Sequence, residues 1–348
     1  MKKIQAREIF DYDIPILDVR SPSEYNHAHI PGAFSLPLFS DEERAIVGKI
    51  YKHNGRQHAI KAGVGFFNMS QIIKDAEKII KDFGGEENTN KVIIHCWRGG
   101  MRSGAVAWLL NLYGFDVMLV EGGYKAFRNL VLSKFTDDFN FVVIGGFTGS
   151  NKTGVLSEFK KHQLQTIDLE GLANHKGSAF GSLGQPSQPS QEMFENLLAK
   201  ELYNLKIDEQ IFIEDESQRL GKVNIPNLLW QTLINKPVCF IEISFKERLD
   251  FLLEEYGKFD NESLASSITR IQKRLGPLET KTALKFLAED NKKECFKILL
   301  NYYDKVYIKA LNKKDPEEKI VTRISFDYVD EKEVAKELMN NFKIQSVK

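Results

Sequence analysis

"FVVIGGFTGSNKTGVLSEF", Phe141 to Phe159, begins with four consecutive apolar residues, passes through a glycine-rich bend and continues with apolar positions at helical spacing. Strand, glycine-rich loop and helix in that order bring backbone N–H groups together at a helix N-terminus, where an anion is stabilised. The candidate contacts are Gly146, Thr148, Gly149, Ser150, Asn151, Lys152 and Thr153. The loop amides would cradle phosphate oxygens and Lys152 would reach them as a flexible point charge. Thr153 would hold Mg²⁺ if one binds. One position departs from G-x-x-x-x-G-K-[ST]: Asn151 stands where glycine is expected. Asparagine is among the few residues that accept positive φ, so the turn tolerates it. The competing possibility is a glycine-rich turn that keeps its shape without an anion, and Lys-Thr at this offset argues against it.

Upstream of this loop, strands and helices alternate. "IPILDVRS" predicts a short strand over Ile14 to Val19, "HIPGAFSLP" a Pro-Gly turn before a second strand, and "MSQIIKDAEKII" a helix. "NKVIIHC" predicts a strand ending at Cys96, "MRSGAVAWLLNLYG" a helix stopped near Gly114, "FDVMLVEGG" a strand and "YKAFRNLVLSKF" a helix. Such alternation calls for a parallel sheet covered on both faces. Cys96 then falls outside the carboxyl end of its strand, where open α/β sheets place ligands. "WRGGMR" follows it, then Ser103 at a helix start. Two glycines let backbone N–H groups turn toward the sulfur, and the helix N-terminus together with Arg98 and Arg102 adds positive potential. These effects favour thiolate, the nucleophilic form. Cys239 and Cys295 sit in plain strand and helix patterns and are expected in the core.

Downstream, "LQTID" predicts a strand to Asp168, and "LEGLANHKGSAFG" after it is polar, glycine-broken and expected to lie outside the core, wrapping a ligand or partner with His175 and Lys176. "EQIFIEDESQRLG" predicts a strand ending at Glu214, Asp215 and Glu216, where a carboxylate could meet a metal near the loop; no one of the three stands out as a base. "KPVCFIEISFKERLDFLLEEYG" predicts a strand and a helix, and "VTRISF" a late strand. Leu264, Ile268, Ile271 and Leu275 form one apolar helix face, while Arg270, Lys273 and Arg274 line another side at a spacing that suits an RNA backbone. His175, Lys176, Arg219, Arg270, Lys273 and Arg274 are therefore the candidate nucleic-acid contacts.

The totals constrain the rest. The 348 residues suffice for two domains with cores of their own, and three scattered cysteines exclude a disulfide framework. Lys plus Arg equals Asp plus Glu at 48 each, so bulk charge neither indicates nor excludes a nucleic-acid partner. No apolar run reaches the ~18 residues of a membrane span, and the start "MKKIQAREIF" has no apolar signal segment. A cytoplasmic protein without membrane association is expected.

From Gln5 to Leu132 the chain resembles the rhodanese family, on "LDVRSPSEY" (17–25), "HIPGA" (29–33) and the single-cysteine loop. Across nearly its whole length it resembles the bacterial tRNA 2-selenouridine synthase family. That resemblance rests on "CWRGGMRSGA" (96–105), "GFTGSNKTG" (146–154), "DLEGLANHKGSAFG" (168–181), "QPSQ" (185–188) and "EDESQRLG" (214–221). The resemblance implies an α/β chain, with an N-terminal rhodanese-like parallel-sheet domain over 1–133. A P-loop NTPase-like α/β domain with added helices and basic tRNA-binding elements follows over 134–348. It further implies geranylation of the wobble 2-thiouridine of tRNAs for Lys, Glu and Gln from geranyl diphosphate, then replacement of geranylthiolate by selenium from selenophosphate. Cys96, Arg98 and Arg102 would be catalytic and the 146–153 loop would hold the diphosphate. No tightly bound cofactor or resident metal is implied; the partners are the tRNA anticodon arm and an enzyme supplying selenophosphate, and a monomer is expected. The alternatives are a rhodanese-type sulfurtransferase with an accessory nucleotide-binding domain and a non-catalytic tRNA-binding scaffold.

Overall fold

The computed structural model describes residues 1–84, 90–315 and 320–341; the end of the second expected domain, 342–348, lies outside them. Two compact units emerge, Met1–Lys134 with Glu195–Lys200, and Phe135–Phe194 with Glu201–Lys348.

The first unit has strands β1 (Lys2–Ile4), β2 (Ile16–Asp18), β3 (Phe34–Ser35), β4 (Lys91–His95) and β5 (Asp116–Val120) in the order β1-β5-β4-β2-β3, paired in parallel. Its helices are α1 (Pro22–His27), α2 (Asp41–Asn54), α3 (Arg56–Phe66), α4 (Met69–Gly84), α5 (Met101–Tyr113) and α6 (Gly123–Lys134). β2 is shorter than the expected Ile14–Val19. Pro15 has no N–H to give and only accepts, from Ile93, while Val19 still donates to the His95 carbonyl just past the strand end. Helix α4 buries Ile72, Ala76 and Ile80, one residue per turn, in the same core as Val92 and Ile94 of β4. β4 is the central strand, and the chain leaves its carboxyl end at Cys96.

The second unit has β6 (Phe141–Gly146), β7 (Gln165–Ile167), β8 (Ile211–Glu214), β11 (Val238–Ile243) and β12 (Val321–Phe326) in the parallel order β12-β11-β6-β8-β7; β9 (Arg219–Leu220) and β10 (Val223–Asn224) make a small antiparallel pair. The expected late strand "VTRISF" is β12, in register with β11 from Val238↔Val321 to Ile243↔Phe326. Every residue of β6 is buried, as befits a central parallel strand covered on both faces. Helices α7 (Lys152–Lys161), α8 (Leu169–Ala173), α9 (Gln191–Tyr203, its middle grouped with the first unit), α10 (Asn227–Leu233) and α15 (Glu331–Asn341) accompany the sheet. The added helices α11 (Phe245–Tyr256), α12 (Asn261–Leu275), α13 (Pro277–Ala288) and α14 (Lys292–Lys314) have a core of their own, including Leu249, Leu264, Ile268, Leu275, Phe296 and Leu299.

One expectation is corrected. The segment after Asp168 contributes to the core: Leu169 and Ala173 are wholly buried, and Phe180 joins the helical core. Its glycines are punctuation, and Asn174, in the left-handed conformation, ends α8 after a single turn and redirects the chain. Cys239 and Cys295 are buried as expected, and burial pushes each thiol up to about 12.

Candidate functional site

Each unit presents one chemically distinctive loop. In the first, Cys96 Sγ accepts the Gly100 N–H at 3.4 Å and lies 3.2 Å from Ser103 Oγ. Burial alone would push this thiol up. The Ser103 hydroxyl and the backbone N–H groups of Ser103, Gly100 and Arg98 overcome it, holding Cys96 below the usual thiol range. The loop keeps its shape because Tyr124 and Lys125, at the start of α6, donate backbone N–H groups to the carbonyls of Cys96 and Trp97 at 2.9 Å each. Gly123 permits this approach: at φ 58° its missing side chain would clash with the Cys96 carbonyl.

The two arginines of this loop have different surroundings. Arg102 donates to Glu24 of α1 at 2.6 and 3.3 Å, so its charge is committed to a carboxylate, and Arg98 is exposed. Beside the loop, Arg20 is buried, paired with Asp18 at 2.6 Å, bonded to the Ala28 carbonyl and stacked 3.8 Å over the Tyr124 ring. His95 lies 3.7 Å from Asp18, and burial holds it below the usual imidazole range, so it stays neutral. Ser103, Glu24 and Gly123 are the contributors that sequence reasoning underrated; the doubled glycine of "VEGG" was the available signal. Because the other two thiols stay protonated to high pH, thiolate absorbance below pH 9 reports Cys96 alone. Ser103→Ala is expected to move that titration upward, and Arg102→Ala to shift it much less. An unshifted Ser103→Ala curve would assign the effect elsewhere.

In the second unit the loop leaves β6 and enters α7. Asn151 takes φ 54° and ψ 43°, the left-handed conformation its residue type tolerates. Its Oδ1 accepts the Gly154 N–H at 3.2 Å, capping α7, and its Nδ2 donates to Glu331 at 3.2 Å. Asn151→Gly is expected to cost only a few tenths of a kcal/mol, since glycine keeps the turn. Asn151→Ala should cost about 1–2 kcal/mol, losing the cap and straining the backbone. Urea denaturation of the two variants checks the order.

The loop is held from behind by Arg248, which is buried, donates to the Thr148 carbonyl at 3.0 Å and makes a forked pair with Asp304 at 2.9 and 2.7 Å. Gly149, at φ 87°, passes so close that a Cβ would lie 2.9 Å from the Arg248 carbonyl oxygen. Ser150 turns its hydroxyl inward to the Phe147 carbonyl at 2.7 Å. The Tyr307 hydroxyl accepts the Gly146 N–H at 3.5 Å and donates to Asp215.

Lys152 Nζ lies 3.5 Å from the Gly146 carbonyl and 3.6 Å from Glu216. Thr153 Oγ1 is 2.8 Å from Glu170 and 3.2 Å from Glu214. Burial raises the carboxyl of Glu214, helped by repulsion from Asp168, Glu170 and Glu216; burial also raises Glu170, against the pull of Lys152 and the Thr153 hydroxyl; and burial, with Glu170 and Asp215, pushes Glu216 up to about 8 against the pull of Lys152. Burial would lower Lys152, but Glu216, Glu170 and Glu214 raise it above the usual range, so it is charged. Carboxyl groups that resist ionisation can stand beside an anion and donate to it, whereas ionised ones would repel it. Among the described residues, no group of three or more His, Cys, Asp or Glu is arranged to hold a metal ion.

The expected nucleic-acid contacts divide. Arg219, Arg270, Lys273 and Arg274 are exposed, although Arg270 bonds Ser267 and Ser182. His175 is buried and Lys176 pairs with Glu255.

Residues 139–339 match the family described as tRNA 2-selenouridine synthase AAA domain, and residues 3–130 match the rhodanese-like domain. The chain belongs to the tRNA 2-selenouridine synthase family. A tRNA 2-selenouridine synthase of Pseudomonas fluorescens (strain Pf0-1) is 34% identical over 345 residues, 88% of this chain and 91% of that one. The synthase of Sulfurovum sp. (strain NBC37-1) is 34% identical over 336 residues, 86% and 90%. That of Nitrosomonas europaea is 36% identical over 254 residues, 71% of this chain and 65% of the relative. The rhodanese-like match takes in the Cys96 loop. The other takes in the phosphate loop with Glu170, Glu214, Asp215 and Glu216. Among the described residues, no helix is long and apolar enough to cross a membrane.

Proposed function

We propose that this chain is a tRNA-modifying transferase that replaces sulfur by selenium at the wobble 2-thiouridine in two stages, on tRNAs for Lys, Glu and Gln. In the first, the 2-sulfur attacks the allylic carbon of geranyl diphosphate. The C–O bond breaks, diphosphate leaves, and the base loses its ring N–H proton. Lys152, Thr153 and the amides of the 146–153 loop stabilise the departing diphosphate. In the second, selenium from selenophosphate adds to the same ring carbon and geranylthiolate leaves, while water takes over the phosphorus as the P–Se bond breaks. Cys96 serves in delivering that selenium, its anion stabilised by Ser103 and the loop amides, with the exposed Arg98 helping to hold selenophosphate and Arg102, paired with Glu24, bracing the start of the helix that follows the loop.

The observation that carries this reading is the presence, in one chain of this family, of a thiolate-favouring loop and a charged lysine in a phosphate loop. Alkylation supplies the reason for both: it turns a poor sulfur leaving group into a better one, and its co-substrate needs an anion site more than a hydrolytic water. Arg219, Arg270, Lys273 and Arg274 are the exposed cations for the anticodon arm. A selenophosphate-supplying enzyme is the implied partner, and the protein would act as a cytoplasmic monomer.

Mass analysis of nucleosides after incubation with thiolated tRNA, geranyl diphosphate and selenophosphate tests the proposal. A geranyl adduct followed by a sulfur-to-selenium mass change is the expected result. Sulfur transfer to an acceptor independent of geranyl diphosphate would identify a sulfurtransferase instead, and tight tRNA binding with no modified nucleoside would identify a scaffold.

A further inference from the structure

Beside the phosphate loop, within the second unit, lies a small crevice whose wall is almost entirely hydrocarbon. Phe180, Leu252, Tyr256, Phe296 and Leu299 line it, and Thr148 of the loop stands at its edge. The Ser178 hydroxyl also borders it, beside Tyr256. Loop and crevice are continuous: a Cβ on Gly149 would lie 3.1 Å from Leu252 Cγ. The surroundings of the loop are therefore two-sided. Around Lys152 and Thr153 stand Glu170, Glu214 and Glu216; around Thr148 and Gly149 stand α11, α14 and Phe180.

We propose that this crevice is the subsite for the hydrocarbon tail of an allylic diphosphate whose head sits on the loop. The inference rests on the function proposed above and places the tail, which that function leaves unplaced. A ligand anchored at the loop can extend toward the carboxyls or toward the leucines and aromatics, and only the second direction welcomes hydrocarbon. The cavity is about 20 Å³, room for little more than one water, so the tail enters by displacing side chains. Leu252 is only half-buried where Phe180, Tyr256, Phe296 and Leu299 are buried, so it is the side chain that would have to turn aside. The depth of the slot would then set the preferred tail length.

Titration calorimetry of the full chain with inorganic pyrophosphate and with unreactive thiolo analogues of five-, ten- and fifteen-carbon allylic diphosphates tests the subsite. In the parent protein the ten-carbon tail is expected to tighten binding roughly tenfold or more over pyrophosphate, as burial of apolar surface requires. Leu299→Phe, which fills the slot, should remove most of that gain while pyrophosphate still binds. Leu252→Ala, which widens it, should move the preference toward fifteen carbons. A parent protein with no gain from the tail, or a gain and a length preference unchanged in both variants, would overturn the proposal. Should Leu299→Phe lose pyrophosphate binding through misfolding, the Leu252→Ala length preference decides. Failure of the proposed function has a different signature: the tail-dependent affinity stays, but no geranylated nucleoside forms.

Discussion

Cys96→Ala is expected to abolish selenium incorporation while geranylated tRNA still forms and accumulates. Cys96 is buried, but its chemistry is set by the Ser103 hydroxyl and the N–H groups that point at it, and these favour an anion where burial alone would favour a thiol. Alanine removes that anion and leaves the loop clamp through Tyr124 and Lys125 in place, since the clamp uses backbone atoms. The phosphate loop belongs to the other unit and has its own supports in Arg248 and Asn151. Nucleoside mass spectra of tRNA treated with the variant should show the geranyl adduct and no selenium. Loss of both steps in a folded variant would overturn the division of labour between the loops.

Lys152→Ala should slow geranylation by roughly 10²–10³-fold, the usual loss when one preorganised group stabilising a developing anion is removed. Here the deletion has a second effect. Lys152 faces Glu170, Glu214 and Glu216, and without it the incoming diphosphate keeps the loop amides and Thr153 but meets those carboxyls without the lysine's charge between them. Those groups would be pushed further toward their neutral forms, so the loss should deepen as pH rises and ionises them. Single-turnover geranylation at pH 6.5 and 8.5 measures both effects. Kinetics equal to the parent would remove Lys152 from the chemistry.

Much of this was legible from local patterns. The strand-loop-helix around Gly146–Thr153 follows from an apolar run, glycines and Lys-Thr at fixed offsets, and Asn151 adopts the positive φ that its side chain permits. The late strand β12 and the apolar face Leu264, Ile268 and Leu275 were equally visible, because strand and helix periods are properties of consecutive residues. The glycine-broken stretch after Asp168 misled, since glycine count reports backbone freedom and says nothing of whether Leu169 or Phe180 finds a core to enter.

By itself the sequence determined the two loops, the kind of element on either side of each and the family to which the whole belongs. What only the tertiary structure decided is who answers each charge. Arg102, seventy-eight positions from Glu24, is drawn to that carboxylate and away from the sulfur it seemed to serve, and Ser103 takes over. Glu170 of α8 and Glu214 at the end of β8 meet at Thr153, and Arg248 reaches back a hundred positions to hold the Thr148 carbonyl. Periodicity and motif spacing are local and survive in the linear chain. The energy of an ion pair or a buried carboxyl depends on separation and burial in space, which the fold alone supplies.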